Sequence, residues 1–311
     1  MREKLYRGWW YAVWREDGRT HRRALRTQDH DAAKRALKDY AASLAAPKDT
    51  VAGIYAAYLA DKGTERARWA WVRLEPHFGH MRPDQIGRPA SRAYRAARET
   101  EGAGVGTIHT EMTYLRAALR WHDKATPAVV ELPRKPAPKS RHITREEYDR
   151  LVDAAKSAHV RLFIILALAT AGRMAAVLEL KWEQVDLVAG IVRLGDGTRM
   201  RKGRATVPLT TRAVAAMAEA ATARTSEYVI EWGGGKVGKI RKGFAAAAEA
   251  AGLPWVTPHV LRHTAAVWMA ERGVPMAEIG QFLGHSDERT TYRIYARFSP
   301  HYLRGAASAL E

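Results

Sequence analysis

Between Thr257 and Tyr295 the chain reads TPHVLRHTAAVWMAERGVPMAEIGQFLGHSDERTTYRIY, setting His259, Arg262, His285 and a phenol at spacings that helices and their turns bring together. Thr257 followed by Pro258 has the form of an N-cap and first helical residue, which places His259 and Arg262 one turn apart on one face. Backbone amides point outward at that end, so an anion is favoured there even before the arginine is counted. Leu261, Ala265 and Trp268 recur as the buried side, and Gly273 with Pro275 ends the helix. Ile279, Phe282 and Leu283 form the apolar side of a second helix, Gly284 stops it, and His285 emerges directly after the turn. Ser286 reads as the next N-cap, so Tyr292 and Tyr295 lie a turn apart on a third helix. The set suits chemistry on an anion.

Composition narrows the anion. Lysine and arginine total 51 against 33 acids, a formal charge of +18 spread along 311 residues, and a polyanion is the natural partner. At 47% hydrophobic the chain has enough apolar material for two or three folded domains, which excludes a disordered tail. The longest apolar run, 162 to 172, falls short of the ~20 residues a spanning helix needs. The N-terminus carries charges without an apolar segment behind them, unlike a signal peptide. With no cysteine, disulfides, thiolate metal sites and a cysteine nucleophile are excluded. A cytoplasmic bacterial protein acting on nucleic acid, with no membrane partner, fits these features.

The elements that must position the set are legible in order. Residues 1 to 46 alternate aromatic and basic residues around Glu16-Asp17-Gly18 and continue into an alanine-rich helix from Asp29 to Leu44, predicting a small sheet plus a helix. A strand face bearing Arg15, Arg19, Arg22, Arg23 and Arg26 suits a DNA groove, and equally the basic surface of a structural sheet. Residues 47 to 126 are helical throughout, with Trp69, Trp71, Val72 and Leu74 in the packing pattern of four or five helices. The last of these runs from about Gly106 to Lys124, with Ile108, Met112, Leu115, Leu119 and Trp121-His122 as its stripe. Its domain carries Arg66, Arg68, Arg73, Arg92, Arg95, Arg98, Arg116 and Arg120, which suit tracking of phosphates or plain solvation. Residues 127 to 140, with four prolines, predict an extended linker. In 141 to 311, Thr144 and Glu147 form a capping box, Arg161 to Ala169 is a buried helix, and Ala171-Gly172-Arg173 interrupts it. Gly190 to Leu194 and Thr206 to Leu209 read as a hairpin whose tip carries Arg199, Arg201, Lys202 and Arg204. Tyr228 to Ile230 reads as a short strand. The fold class is multidomain, mostly α with small β elements, ending in a mixed α/β domain and a C-terminal tail.

Five blocks carry a resemblance: AGRMAAVLELKWEQVD around Arg173, RKGRATVPL around Lys202, HVLRH from His259, LGHS around His285, and TTYRIY ending at Tyr295. In that order they resemble the tyrosine recombinases, in particular phage-type integrases. Residues 47 to 126 are similar to the family's core-binding domain, and 1 to 46 to the arm-binding domain of many integrases. The resemblance implies a site-specific recombinase that cuts and rejoins duplex DNA at attachment sites through a 3′-phosphotyrosyl intermediate. It implies a homotetramer in synapsis, DNA-bending accessory proteins, and no metal or ATP cofactor. It assigns Arg173 and Arg262 to the phosphate, which planar guanidinium groups bond bidentately. Tyr295 becomes the nucleophile, with His259 assisting loss of its proton, Lys202 protonating the leaving 5′ oxygen and His285 bonding the phosphate.

Departures from the pattern and plainer readings stand beside this. Ala176 replaces an acidic residue common three positions after the first arginine, and Gln184 the usual acid of the WxD segment. Tyr295 lies ten residues beyond His285 where many relatives have nine, which keeps Tyr292 as a competing nucleophile. Arg173 alone suits a helix cap, His259 alone a core histidine, and Lys202 a solvated loop. A non-catalytic DNA-binding or regulatory protein of the same fold, or a type IB topoisomerase, would share the basic surface; the first would not need the phenol, and the arm-like N-terminus suits recombination better than the second.

Overall fold

Alternating aromatic and basic residues near the N-terminus build an antiparallel sheet of β1 (Arg2–Tyr6), β2 (Trp9–Glu16) and β3 (Arg19–Ala24), in that order. The computed structural model describes residues 1–16, 19–45, 49–135, 141–195, 206–285, 287–308 and 310. One face of the sheet is covered by α1 (His30–Ala45): Ala12 is fully buried, Trp10 stacks on His30 with ring centroids 4.4 Å apart, and Trp14 meets Tyr40. The register pairs Val13 with Arg22 and Arg15 with Thr20 on the opposite, open face. Arg23 pairs with Ala12 and Arg19 with Glu16, so both belong to the helix side, and the Arg23 guanidinium lies 4.4 Å from the Tyr40 ring centroid. The pleat's period of two therefore divides the expected single basic face, leaving Arg15 and Arg22 together without Arg23.

Threonine caps start the next two helices. Thr50 and Thr64 accept from Gly53 and Ala67 at the heads of α2 (Val51–Lys62) and α3 (Glu65–Phe78), which pack with α4 (Arg88–Thr100) and α5 (Val105–His122). Ile54, Tyr55, Leu74, Tyr94, Met112 and Leu115 form their shared core. Trp69 and Val72, expected in that packing, are instead exposed at 72% and 62%. Trp121 also leaves the stripe, donating from Nε1 to Asp61 at 3.1 Å. Arg98, expected among the phosphate-tracking arginines, is buried with Glu111 at 2.9 Å, the carboxylate that also accepts from Tyr94. Residues 1–46 and 47–126 share one compact unit, Met1–Pro138, in which α1 packs along α2. The start of the expected linker lies along the bundle, with Val129 donating to Ile86 and the carbonyl of Pro133 at 2.7 Å from Nδ1 of His109.

The second unit, Lys139–Glu311, has its larger core around α7 (Ala158–Ala169), nearly all of whose side chains are apolar. Before it, α6 (Arg145–Asp153) starts on the expected Thr144–Glu147 capping box; after it come α8 (Met174–Leu178) and a sheet of β4 (Val185–Asp186), β5 (Ile191–Arg193) and β6 (Thr206–Pro208). Next are α9 (Thr211–Thr222), a hairpin of β7 (Glu231–Trp232) and β8 (Gly235–Lys236), and α10 (Arg241–Ala250). The strand expected at Tyr228 to Ile230 falls three residues later, because Val229 and Ile230 turn into the core and only Tyr228 bridges Lys181. Finally α11 (Pro258–Glu271), α12 (Met276–Leu283), α13 (Glu288–Tyr295) and the short α14 (Arg304–Ser308) complete the unit. The first three of these enclose a second core of Ala266, Val267, Ala270, Ile279, Leu283 and Tyr295. Among the described residues no helix is long and apolar enough to cross a membrane.

Candidate active site

Arg262 is the centre of the second unit's polar cluster. On α11 it is only 5% exposed, with Nη1 donating to the carbonyl of Ala171 at 2.7 Å and Nη2 to that of Leu283 at 2.8 Å. These two bonds fix the plane of the guanidinium between the turn after α7 and the end of α12. Burial, then the nearby charge of Arg173, pull its pKa down to about 10, opposed by Tyr295. It remains charged at neutral pH.

The turn supplying the first carbonyl is tightly built. Thr170 donates to Leu166 and accepts from the amide of Gly172, while Ala171 takes a left-handed conformation, φ 47°, with its side chain fully buried. A Cβ on Gly172 would stand 2.8 Å from Val177 and 2.9 Å from the Thr170 hydroxyl, so only glycine allows this approach. Arg173 follows as the N-cap residue of α8, with an exposed side chain.

The turn supplying the second carbonyl sets His285. Gly284 is left-handed at φ 62°, its amide donates to Gln281 and that of His285 to Gly280, which closes α12 in a Schellman motif. His285 then stands with Nδ1 at 2.9 Å from the hydroxyl of fully buried Thr291. The expected N-cap Ser286 lies outside the described residues; the cap observed is Asp287, which accepts from Arg289. Thr257 is the N-cap of α11 with Pro258 at the first position, and His259 presents an exposed edge one turn before Arg262. Burial first, then Arg262 and Arg173, hold His259 and His285 below the usual imidazole range. Both are neutral at pH 7, able to accept a proton or a hydrogen bond.

The two tyrosines separate. Tyr292 is 57% exposed, whereas Tyr295 is 6% exposed within the second core. Burial raises the Tyr295 pKa and the charge of Arg262 works against that rise. Its Oη lies 3.4 Å from Nδ1 of His263, the last residue of the HVLRH block, to which the resemblance assigns no role. The available signal was spacing: His263 follows His259 by four residues and so shares its face. Lys202, Arg201 and Arg204 lie outside the described residues.

In the first unit, Arg66, Trp69 and Arg73 on α3 line a depression with Gly106, Thr107 and Thr110 of α5, and Arg98 and Glu111 form part of its wall. Arg116 and Arg120 lie further along α5, half-buried and exposed respectively. Trp69 departs from the expected packing because helical spacing says which residues share a face, not which face is covered.

Residues 141–302 match the phage integrase family, which covers more than half of the chain and all of the cluster just described. The chain belongs to that family. Relatives of this phage integrase family member include an integrase of Streptomyces ambofaciens, 28% identical over 214 residues, or 56% of this chain and 55% of the relative. A XerC-like tyrosine recombinase of Caldanaerobacter subterraneus subsp. tengcongensis is 24% identical, over 53% and 52% of the two chains. The chain thus spans about half the length of these curated relatives. A crystal structure of a lambda integrase dimer bound to a COC′ core site shares the fold, with TM-score 0.66, 17% identity and 95% coverage of both chains. The multidomain, mostly helical fold expected from the sequence is therefore that of the tyrosine recombinases.

Proposed function

We propose that the chain is a site-specific DNA recombinase of the integrase type, with Tyr295 as its nucleophile. The observation that carries this reading is the burial of Tyr295 beside Arg262 while Tyr292 points to solvent. A phenol within the field of an arginine fixed by two carbonyls suits attack on a phosphodiester, since that charge favours both the phenolate and the phosphorane. The Oη–P bond forms as the P–O5′ bond breaks, and a 5′ hydroxyl leaves. Arg173 and Arg262 hold the non-bridging oxygens, His285 bonds the same phosphate, a histidine of α11 takes the phenol proton, and Lys202 protonates the leaving oxygen. One phosphoester replaces another, so the reaction calls for neither ATP nor a metal.

Duplex DNA at attachment sites is the proposed partner, with a tetramer forming in synapsis in the bacterial cytoplasm and bending proteins assisting. The open sheet face with Arg15 and Arg22 and the α3–α5 depression with Arg66, Trp69 and Arg73 are the proposed contacts of the first unit, with Arg116, Arg120, Arg201 and Arg204 as further phosphate contacts. Arginine pairs steer to phosphates, and an exposed tryptophan between them offers apolar contact to a base edge.

The test is a nicked duplex of the attachment sequence recovered from DNA flanking the gene, which traps the covalent complex. The wild type and Tyr292→Phe are expected to form the adduct and Tyr295→Phe to form none. An adduct with Tyr295→Phe, lost with Tyr292→Phe, would move the nucleophile by one turn. No adduct with the wild type would leave a DNA-binding protein of the same fold.

A further inference from the structure

We infer that His263 is the positioning residue of the nucleophile, bonding the phenol directly while His259 serves the phosphate side of the site. The inference rests on Tyr295 being the nucleophile. His263 Nδ1 stands 3.4 Å from Tyr295 Oη, the rings lie 5.3 Å apart at 38°, and both residues are buried, at 8% and 6% exposure. Such a separation is at the long end for a hydrogen bond, as catalytic contacts often are before substrate is bound.

The surroundings restrain the imidazole. Its ring meets Phe298 edge-on at 6.5 Å, beyond Tyr295 in the chain, and that of His142 at the same distance. His142 itself packs against Phe298 and reaches Glu271 at 3.7 Å. The segment carrying His142 is tied to α11, since Thr264 accepts from the amide of Ile143 and Trp268 donates to its carbonyl. His263 is thus wedged between the α11 backbone, the 141–144 segment and the turn after α13. A side chain held this way fixes the direction of the Tyr295 O–H.

The chemistry follows from that direction. With its Nδ1 unprotonated, His263 accepts the phenol proton's hydrogen bond, leaving an Oη lone pair to meet phosphorus. As the Oη–P bond forms and the P–O5′ bond breaks, the phenol proton moves onto Nδ1 and the leaving 5′ oxygen takes a proton from the acid on its own side, proposed as Lys202. His259, exposed and one turn before Arg262 on α11, is free of that duty and faces the phosphate that Arg262 is proposed to hold. Holding a nucleophile in line is worth on the order of 10²-fold in rate.

The experiment compares single-turnover cleavage by the full chain carrying His263→Leu, His263→Asn or no change. It uses the nicked attachment duplex with either oxygen or sulfur at the bridging 5′ position. A thiolate leaves without a proton, so the sulfur substrate isolates the nucleophile's side of the reaction. His263→Leu is expected to cleave about 10²-fold more slowly on both substrates at unchanged DNA affinity. His263→Asn, whose amide oxygen can accept the phenol's hydrogen bond but not its proton, should recover part of that loss, the part due to orientation. A wild-type or faster rate for His263→Leu overturns the inference, as does a defect that sulfur repairs. So does an asparagine variant no better than leucine although both melt as the wild type. Because leucine also changes packing, Tyr295 reactivity toward tetranitromethane is read in parallel: if asparagine leaves it no nearer to wild type than leucine does, the hydrogen bond is not what holds the phenol. Absence of an adduct with the wild type, or its persistence in Tyr295→Phe, would instead remove the reading on which the inference stands.

Discussion

Two buried arginines in this chain live in opposite company. Arg98, in the helical bundle, is 7% exposed and meets Glu111 through Nε and Nη2, with Glu101 against Nη1 and Tyr94 completing the set. Hydrogen bonding to Glu111 raises its pKa. Arg262, at 5% exposed, has two carbonyl partners and, among the described residues, no carboxylate in ion-pair distance; its pKa falls. The first charge is neutralised within the fold. The second is oriented by dipoles and left for something else to neutralise. An arginine paired with a carboxylate holds a structure together, whereas one held only by carbonyls is prepared for an anion that arrives later.

The largest effect expected from this contrast is on catalysis. Replacing Arg262 with Met should lower single-turnover cleavage by at least about 10²–10³-fold, the loss typical of removing one fixed donor to a developing anion. Its stability should change little, because relief of an uncompensated buried charge opposes the loss of hydrogen bonds to two carbonyls, each worth about 1–3 kcal/mol. Urea unfolding of the variant checks this. A loss of several kcal/mol would put Arg262 in the same class as Arg98 and end the comparison.

The matching change in the bundle should reverse the pattern. Arg98→Met leaves Glu111 buried beside Tyr94 without its cation, and breaking such a pair costs about 3–5 kcal/mol. The double variant Arg98→Met/Glu111→Leu removes the stranded charge as well and should recover much of the loss. Cleavage per DNA-bound molecule should stay within a few-fold of the wild type. A double variant as unstable as the single one would show that packing, not charge pairing, sets the cost.

How much of this contrast was legible beforehand depends on the interaction's range. Caps and turn residues act within four residues, so Thr257-Pro258, the Thr144–Glu147 box and Gly284 before His285 were read in place. Faces were only half legible. The period of two could divide Arg22 from Arg23, but which side α1 covers depends on packing at Ala12 and Trp10. Arg98 has Glu99 and Glu101 beside it in the chain and Arg262 no acid nearer than Glu271, but that difference does not by itself say which charge the fold neutralises. What separates them is Glu111, thirteen residues beyond Arg98 but across the bundle from it, and the carbonyls of Ala171 and Leu283, which no residue type announces. His263 was visible as a fourth-residue neighbour of His259, but its partner lies 32 residues away and is reached only through the packing of α13.

The smallest expected effect is the pH dependence that the uncompensated charge imposes on its neighbours. His259 and His285 have pKa values lowered by burial and by Arg262 and Arg173, so the unfolded chain binds protons at these positions more readily than the folded one. Stability therefore rises with pH where the unfolded imidazoles still carry protons, and it is lost as pH falls below about 6.5, the ordinary histidine value. Hydrogen exchange, corrected for the intrinsic pH dependence of the chemistry, should show α11 to α13 opening more readily at pH 5.5 than at pH 7.5. Arg262→Met should flatten this dependence, because it removes a positive charge that opposes protonation of both imidazoles. An unflattened response would mean that burial and Arg173 hold the two histidines neutral, and that the charge of Arg262 reaches only as far as the phenol.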